Sequence, residues 1–227
     1  MSHSGIGRHA AGDRLPRHRH VHGYVALVLA GGYEEAGDGG RLAARPGTVV
    51  IHDRWAAHQD HFGAGGARVL NLPALPGLAG AGSVADPDAV ARMAERDPLA
   101  AAELVRGSFR PDAACAMDWP DLLATALRDD PAVPIAAWAD RMGLDPASVS
   151  RGFARAYGVS PKRYRLEART RRALLALDRW QGSLAVFAAE HGFADQAHFT
   201  RSVLAMTGHP PARLKAKSVQ SAGASAR

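Results

Sequence analysis

The chain has 227 residues, of which 47% are apolar and 22% are charged, and it carries a formal net charge of +6. This length and composition are sufficient for one large or two small folded domains and exclude a disordered chain. An apolar run such as residues 25–30 is much shorter than the roughly 20 residues that cross a membrane, and no signal peptide is visible. The single cysteine, Cys115, cannot form an internal disulfide, so we expect a cytoplasmic protein without membrane contact.

The charged residues and the histidines are concentrated in opposite parts of the chain. Residues 134–217 contain 14 Lys and Arg against 6 Asp and Glu, whereas the remainder contains 14 against 16. A local basic excess favours a phosphate backbone as the partner, although a solvated Arg-rich helix has the same composition. Eight of the 11 histidines precede residue 62, so we expect any metal chemistry in the N-terminal part.

The N-terminal part has the pattern of a small β domain. Residues 1–14 are polar and contain glycine, which predicts a mobile segment. Apolar runs predict strands at residues 25–29, 48–51, 55–61 and 68–72. Turn signals separate them at residues 31–32, 37–40 and 46–47, and residues 63–66 are predicted to form a flexible loop. This spacing favours a small antiparallel barrel or sandwich over residues 1–82.

Helix-start signals replace the strand pattern over residues 83–133. Asp-Pro pairs at residues 86–87 and 97–98, followed by Trp-Pro-Asp at residues 119–121, each predict the start of a helix. We expect these helices to serve packing or dimerisation, with residues 129–134 as a linker. At the other end of the chain, the Ser/Ala/Gly-rich residues 218–227 are predicted to be a disordered tail.

Residues 134–217 contain an internal repeat. Gly143 recurs 49 positions later as Gly192, and Arg151 recurs 50 positions later as Arg201, because the second turn is one residue longer. Each copy has the layout of a helix, a glycine turn and a second helix, which is a helix-turn-helix. In the second copy we expect Asp195 to cap the second helix. The alternative is a duplicated helical bundle with no ligand.

The two copies resemble the DNA-binding domain of the AraC/XylS family of bacterial transcription regulators. The resemblance covers about residues 134–215 and is carried by Ala139, Gly143, Leu144, Asp145, Pro146, Arg151, Phe153, Gly158 and Pro161, then by Ala188, Gly192, Phe193, Ala194, Asp195, Gln196, Phe199, Arg201, Gly208 and Pro211. It implies an all-α domain that places two recognition helices into successive major-groove segments of double-stranded promoter DNA.

Carried over position by position, the resemblance predicts seven DNA-contacting residues. They are Ala147, Ser150 and Arg151 in the first module and Gln196, His198, Thr200 and Arg201 in the second. Arg and Gln can bind purine edges through two hydrogen bonds, whereas Ala147 and Ser150 are short. We therefore expect the second module to discriminate more between bases. Pro210 and Leu214 replace the Thr or Ser and the aromatic residue that the family usually has, so the last helix is expected to start or pack differently.

The N-terminal part is similar to the cupin-type sensor domain that many members of this family carry. The similarity rests on the histidines of residues 18–22, on the Pro-Gly turn at residues 46–47 and on His58. Metal-binding cupins usually have a Glu shortly after the paired histidines, where this chain has Gly-Tyr-Val-Ala at residues 23–26.

These histidines are the candidate metal ligands. If residues 18–22 form a strand, their three histidines share one face, and a histidine of a neighbouring strand would complete a set suited to zinc, copper, nickel or iron. The predicted ligands of this divalent transition metal are His18, His20, His22 and His58. Two alternatives are a strand whose histidines face solvent and an apolar pocket for a small organic effector. His52 and His61 are predicted to lie at the surface or in loops.

The sequence therefore predicts an α+β protein that regulates transcription. A cupin-like barrel would bind a small ligand or metal and control a double helix-turn-helix domain, and the protein would be a homodimer without enzyme activity. The alternative is a metal-dependent cupin enzyme with an accessory DNA-binding domain.

Overall fold

The computed structural model describes residues 5–112, 118–130 and 132–215. The predicted α+β class is confirmed, because an antiparallel sheet occupies the N-terminal part and helices occupy the C-terminal part. The chain divides into two compact units, residues 1–122 with 153–158, and residues 123–152 with 159–227. Cys115 and the predicted tail at residues 218–227 lie outside the described residues.

Eight strands form one antiparallel sheet in the first unit. In chain order they are β1 (Gly5–His9), β2 (Arg14–Arg19), β3 (Tyr24–Gly37), β4 (Gly40–Ala44), β5 (Thr48–His52), β6 (Ala57–Pro73), β7 (Gly80–Ser83) and β8 (Arg110–Pro111). The order across the sheet is β1-β6-β3-β5-β7-β8, with β2 also pairing with β6 and β4 with β3. The predicted turn at residues 37–40 is confirmed, since it closes the hairpin between β3 and β4.

The predicted turn at residues 31–32 and the predicted loop at residues 63–66 are instead bulges inside long strands. Gly31 lies within β3 and Gly66 within β6, both at positive φ, and the pairing of these strands shifts register between Val28 and Ala30 and again between Gly31 and Tyr33. A Cβ atom on Gly31 would overlap the Gly66 carbonyl, so the backbones approach too closely for a side chain. The prediction of a flexible loop at residues 63–66 was therefore wrong.

The N-terminal segment also differs from its prediction. Residues 1–14 were expected to be mobile, but Gly5–His9 forms β1 and pairs with residues 67–71 of β6. The pairing supplies backbone hydrogen bonds to a segment whose polar composition gave no strand signal.

Each face of the sheet contributes to a separate apolar core. In β3, Val25 and Leu27 pack in the cluster that includes Val90 of α1 (Pro87–Ala94) and Val105 of α2 (Pro98–Ser108). The residues that alternate with them, Ala26 and Val28, point to the opposite face of the sheet. There they belong to a second cluster that includes Tyr33 and Phe62. This alternation follows from the period of two along a strand, and it also decides which face receives Tyr24 and His52.

Further helices follow in the described part of the chain. Those with defined bounds are α3 (Trp119–Asp129), α4 (Ile135–Arg141), α5 (Pro146–Tyr157), α6 (Pro161–Leu177), α7 (Leu184–Glu190) and α8 (Gln196–Thr207), and residues 211–215 are also helical. Ser160 caps α6 and Ser183 caps α7, each by accepting a hydrogen bond from the backbone three residues later. Within the described residues, no helix combines the length and the apolar character needed to span a membrane.

Candidate functional site

The two helix-turn-helix modules have the same turn geometry. Gly143 and Gly192 both have positive φ, of 65° and 74°. Just after each glycine a backbone amide donates to an alanine carbonyl of the preceding helix, from Leu144 to Ala139 and from Phe193 to Ala188, both at 2.9 Å. The two copies of the sequence repeat therefore form the same backbone hydrogen bond at positions 49 residues apart.

An aspartate starts the second helix of each module. The Asp145 side chain accepts from the Ser148 amide at 2.8 Å, and the Asp195 side chain accepts from the His198 amide at 2.6 Å. The predicted cap at Asp195 is therefore confirmed. These bonds satisfy amides that have no partner within the helix, and they fix where each helix begins.

Helix α8 has a buried face and an exposed face. Phe199 and Val203 are completely buried, and Phe199 lies against Phe187 and Phe193 with ring centroids 5.3 and 5.1 Å apart. Of the predicted DNA contacts, Gln196 and Arg201 are exposed, while the half-buried residues are His198 and Thr200.

Two of the residues predicted to contact DNA have side-chain contacts within their own module. In α8, the ring of His198 meets Phe193 edge to face at 5.4 Å, which limits its orientation. In α5, the residues Ala147, Ser150 and Arg151 are exposed, and Arg151 donates to Ser148 at 3.2 Å. The roles of all seven residues in DNA contact stay predictions.

Helix α6 also contacts the second turn. Arg169 donates from Nη1 to the Gly192 carbonyl at 2.7 Å, and its guanidinium lies 5.9 Å from the centre of the Phe193 ring. A cation over an aromatic face is attracted to the ring quadrupole. The position of the turn that precedes α8 is thus fixed by α6 as well as by α7.

A group of histidines lies at the other candidate site, in the sheet. His18, His20 and His58 can each offer a nitrogen within 4.8 Å of the others. The ring of His58 lies 4.3 Å from that of His18 and 5.4 Å from that of His20. Because β2 pairs with β6 and places His18 opposite His58, three of the four predicted metal ligands come together. The fourth, His22, is exposed and outside this group.

Three further polar residues adjoin this group, and the sequence did not indicate them. Glu35 of β3, His52 of β5 and Asp60 of β6 are buried, with 7%, 6% and 7% of their surface exposed. The prediction that His52 lies at the surface was wrong, because it pairs with Tyr24 and faces into the cluster, whereas His61 is exposed as expected.

Both carboxylates lie beside the same nitrogen of His58. Its Nδ1 is 3.1 Å from Asp60 Oδ1 and 3.5 Å from Glu35 Oε2. Burial opposes the charged imidazole, but the hydrogen bond with Asp60 and the adjacent Glu35 carboxylate raise the pKa of His58 to about 9. Burial also raises the pKa of Glu35 despite His58, and burial together with the His58 charge lowers the pKa of His52 and of His18. The site therefore stabilises one positive charge at His58.

These residues fit a divalent transition metal. The Nδ1 atoms of His18 and His58 face oxygen acceptors, the Pro16 carbonyl at 3.0 Å and Asp60, so each ring presents Nε2 as its ligand atom. Partners of this kind orient metal-binding histidines in proteins. In addition, Glu35 Oε2 and His52 Nε2 are buried without a hydrogen-bond partner among the described residues. Such groups are costly unless something else compensates them.

The turn geometry and the exposed second helices define a helix-turn-helix protein. Residues 138–217 match the family model described as "Helix-turn-helix domain". This segment is an AraC-type DNA-binding domain, and the resemblance seen in the sequence is confirmed there. A search of curated proteins found no significant match.

Parts of the chain are similar to solved structures of other proteins. An AraC-type transcriptional regulator from Chromobacterium violaceum is 21% identical with a TM-score of 0.40, over 43% of this chain and 89% of that one. A DNA-binding transcriptional dual regulator from Escherichia coli K-12 is 18% identical with a TM-score of 0.41, over 48% and 99%. The salicylate 1,2-dioxygenase from Pseudoaminobacter salicylatoxidans is 17% identical with a TM-score of 0.29, over 30% and 20%. The domain assignment rests on the family model.

Proposed function

We propose that this protein is a transcription regulator whose binding to promoter DNA responds to a divalent transition metal. The observation that carries the metal proposal is the pair of buried carboxylates, Glu35 and Asp60, beside a histidine that is itself grouped with His18 and His20. The same chain contains an AraC-type DNA-binding domain, so the ion is proposed as a signal rather than as a catalyst.

The charges of the site favour a cation over an organic effector. Two carboxylates enclosed in a protein need a positive charge nearby, because their removal from water is costly. A neutral or anionic effector would add no positive charge beyond that of His58. A metal bound to the histidines would supply positive charge, and Asp60 would hold the His58 ring in place through Nδ1.

Binding at these histidines would connect separate parts of the sheet. His18 belongs to β2, His20 follows that strand and His58 belongs to β6, so one ion would fix β2 on β6. For regulation, the metal must bind one arrangement of the protein more tightly than another. We propose that the two arrangements differ in DNA affinity and that the protein acts as a homodimer.

We propose one role for each predicted domain. Residues 1–82 would be the sensor, residues 83–133 the dimerisation and linker region, and residues 134–217 the DNA-binding domain, followed by the tail at residues 218–227. In the DNA-binding domain, the residues proposed to contact DNA are Ala147, Ser150, Arg151, Gln196, His198, Thr200 and Arg201.

The test is a titration of full-length protein with DNA, with and without metal. Operator sequences are first selected from a random duplex library, and anisotropy of the labelled operator is then measured with metal-free protein and after addition of Zn²⁺, Cu²⁺, Ni²⁺ or Fe²⁺. We expect sequence-selective, salt-dependent binding whose affinity changes with at least one ion. Equal affinity for random duplex would contradict the regulator, and selective binding that no ion alters would contradict metal control.

Replacing Arg201 by Ala is expected to cost about 1–3 kcal/mol of DNA-binding free energy and to relax specificity at one base pair. The physical reason is that an exposed guanidinium on α8 can bind guanine through two hydrogen bonds. Binding to a panel of operators with single substitutions measures this. Arg179→Ala removes the same charge from an exposed position outside α8 and should leave the base preference intact. A uniform loss over the panel for Arg201→Ala would place that residue on phosphate instead.

Replacing Asp60 by Asn is expected to weaken metal binding by about 10–100-fold without removing a metal ligand. The amide keeps the shape of the side chain but loses the charge that faces His58 Nδ1. Metal affinity is measured by competition with a chromophoric chelator. Glu34→Gln is the matched control, because Glu34 is an exposed acidic residue next to Glu35 in β3. Equal affinities of the two variants would show that Asp60 does not support the site.

A further inference from the structure

Tyr24 lies at the edge of the histidine group, in contact with the rings of His20 and His52. It is the first residue of β3 and pairs directly with His52 of β5. Its ring stacks on that of His52 at 4.5 Å and meets the ring of His20 edge to face at 4.7 Å. These contacts orient the phenol oxygen towards the nitrogens of His20 and His58.

The distances from the phenol oxygen are those between two ligands of one ion. Tyr24 Oη lies 3.5 Å from His20 Nε2 and 3.4 Å from His58 Nε2. A good hydrogen bond from a hydroxyl is shorter, about 2.8 Å. In contrast, two donor atoms that are each about 2.0–2.1 Å from one tetrahedral ion lie about 3.4 Å apart.

We propose that Tyr24 is a fourth protein ligand of the metal centre, beside His18, His20 and His58. This inference rests on the proposed metal function and specifies its ligand set. Binding would convert the phenol to a phenolate and the His58 imidazolium to a neutral imidazole, with new bonds from Tyr24 Oη and His58 Nε2 to the ion and release of both protons to solvent. The oxidation state of the ion does not change in this step.

Glu35 is less suited to the fourth position than Tyr24. Its Oε2 lies 3.5 Å from Nδ1 of His58, on the side of the ring that also faces Asp60, whereas Tyr24 Oη lies near Nε2. His52 likewise directs Nε2 to Glu35 at 3.6 Å while its ring face contacts Tyr24. Glu35 therefore lies beside His58 on the Nδ1 side of its ring, and His52 stacks on the ring of Tyr24.

The ligand set indicates the class of ion. A phenolate is an anionic oxygen donor, and three imidazoles are neutral nitrogen donors. Among the divalent first-row ions, Cu²⁺ binds such oxygen and nitrogen donors most tightly. We therefore expect the centre to prefer Cu²⁺ to Zn²⁺.

The test is spectroscopic and uses full-length protein loaded with Cu²⁺ alone. We expect a phenolate-to-metal charge-transfer band in the visible spectrum and tyrosinate vibrations in the resonance Raman spectrum. Tyr24→Phe should abolish both signals and weaken ion binding by about tenfold or more. Tyr33→Phe is the control, since Tyr33 is another tyrosine of β3 and is itself buried, and it should keep both signals.

The outcomes separate this inference from the metal function. Wild-type protein that binds an ion with no tyrosinate vibrations would overturn the role of Tyr24 and leave a centre of three histidines. Wild-type protein that binds none of Zn²⁺, Cu²⁺, Ni²⁺ and Fe²⁺ would overturn the metal function itself, and the Tyr24 inference with it. The wild-type spectrum decides the question even if Tyr24→Phe folds poorly.

Discussion

Replacing Phe199 by Ala is expected to lower the free energy of unfolding by about 3–5 kcal/mol and to abolish DNA binding. Phe199 is completely buried and lies between Phe187 of α7 and Phe193 of the turn. The truncation leaves a cavity where these rings meet, so α8 loses the packing that holds its exposed face in place. Urea unfolding of the full-length protein, followed by circular dichroism at the helix signal, measures the loss.

Leu204→Ala is the matched control for this effect on stability. Leu204 lies on the same helix but is 48% exposed, so its truncation should change stability by less than about 1 kcal/mol. If Phe199→Ala were as stable as Leu204→Ala, the core described between α7 and α8 would be contradicted.

Replacing His58 by Ala is expected to weaken metal binding by at least about 100-fold, more than the loss of an outer partner typically costs. His58 is close to both His18 and His20 and is the imidazole that Asp60 and Glu35 support. Its loss therefore removes one ligand and leaves two buried carboxylates without their partner. Isothermal titration of the metal-free protein checks the result.

Two other histidine variants separate ligand loss from unfolding. His20→Ala removes a half-buried member of the group without exposing the carboxylates, so it should lose metal affinity while keeping wild-type stability. His22→Ala is the control, because His22 is exposed and outside the group, and it should bind metal like the wild type. Strong binding by both His20→Ala and His58→Ala would contradict the site.

The helix-turn-helix modules were predictable because their signals are local. A glycine at positive φ and a capping aspartate two or three residues later lie within one turn, and each acts on the backbone next to it. The repeat gave the same signals twice. The hydrogen bonds at Ala139 and Ala188 confirm that both copies adopt one geometry.

The buried acidic residues beside the histidine group were not predictable, because their position depends on strand register. Glu35, His52 and Asp60 belong to three different strands and have no common spacing in the sequence. They come together only because β3 pairs with both β5 and β6, which places Glu35 opposite Asp60. A shift of one residue would turn any of these side chains to the other face of the sheet. Sequence spacing therefore indicated only His18 and His20, in and just after β2, and His58 of the neighbouring strand β6.

The glycines of the sheet were misinterpreted for a similar reason. Glycine is common both in turns and where two backbones approach closely, and a sequence does not distinguish these uses. Here Gly31 and Gly66 lie side by side at the bulges of β3 and β6. Their proximity is a property of the pairing and not of either segment alone.

The contact between Arg169 and the turn has a consequence for how DNA specificity can evolve. The turn is held by the Gly192 carbonyl, by the Phe193 amide and by the Asp195 cap, none of which belongs to the exposed face of α8. Exposed residues such as Gln196 and Arg201 can therefore be exchanged while the scaffold beneath them stays the same. We therefore expect that substitutions at the proposed DNA contacts of the second module would change operator preference at little cost to folding.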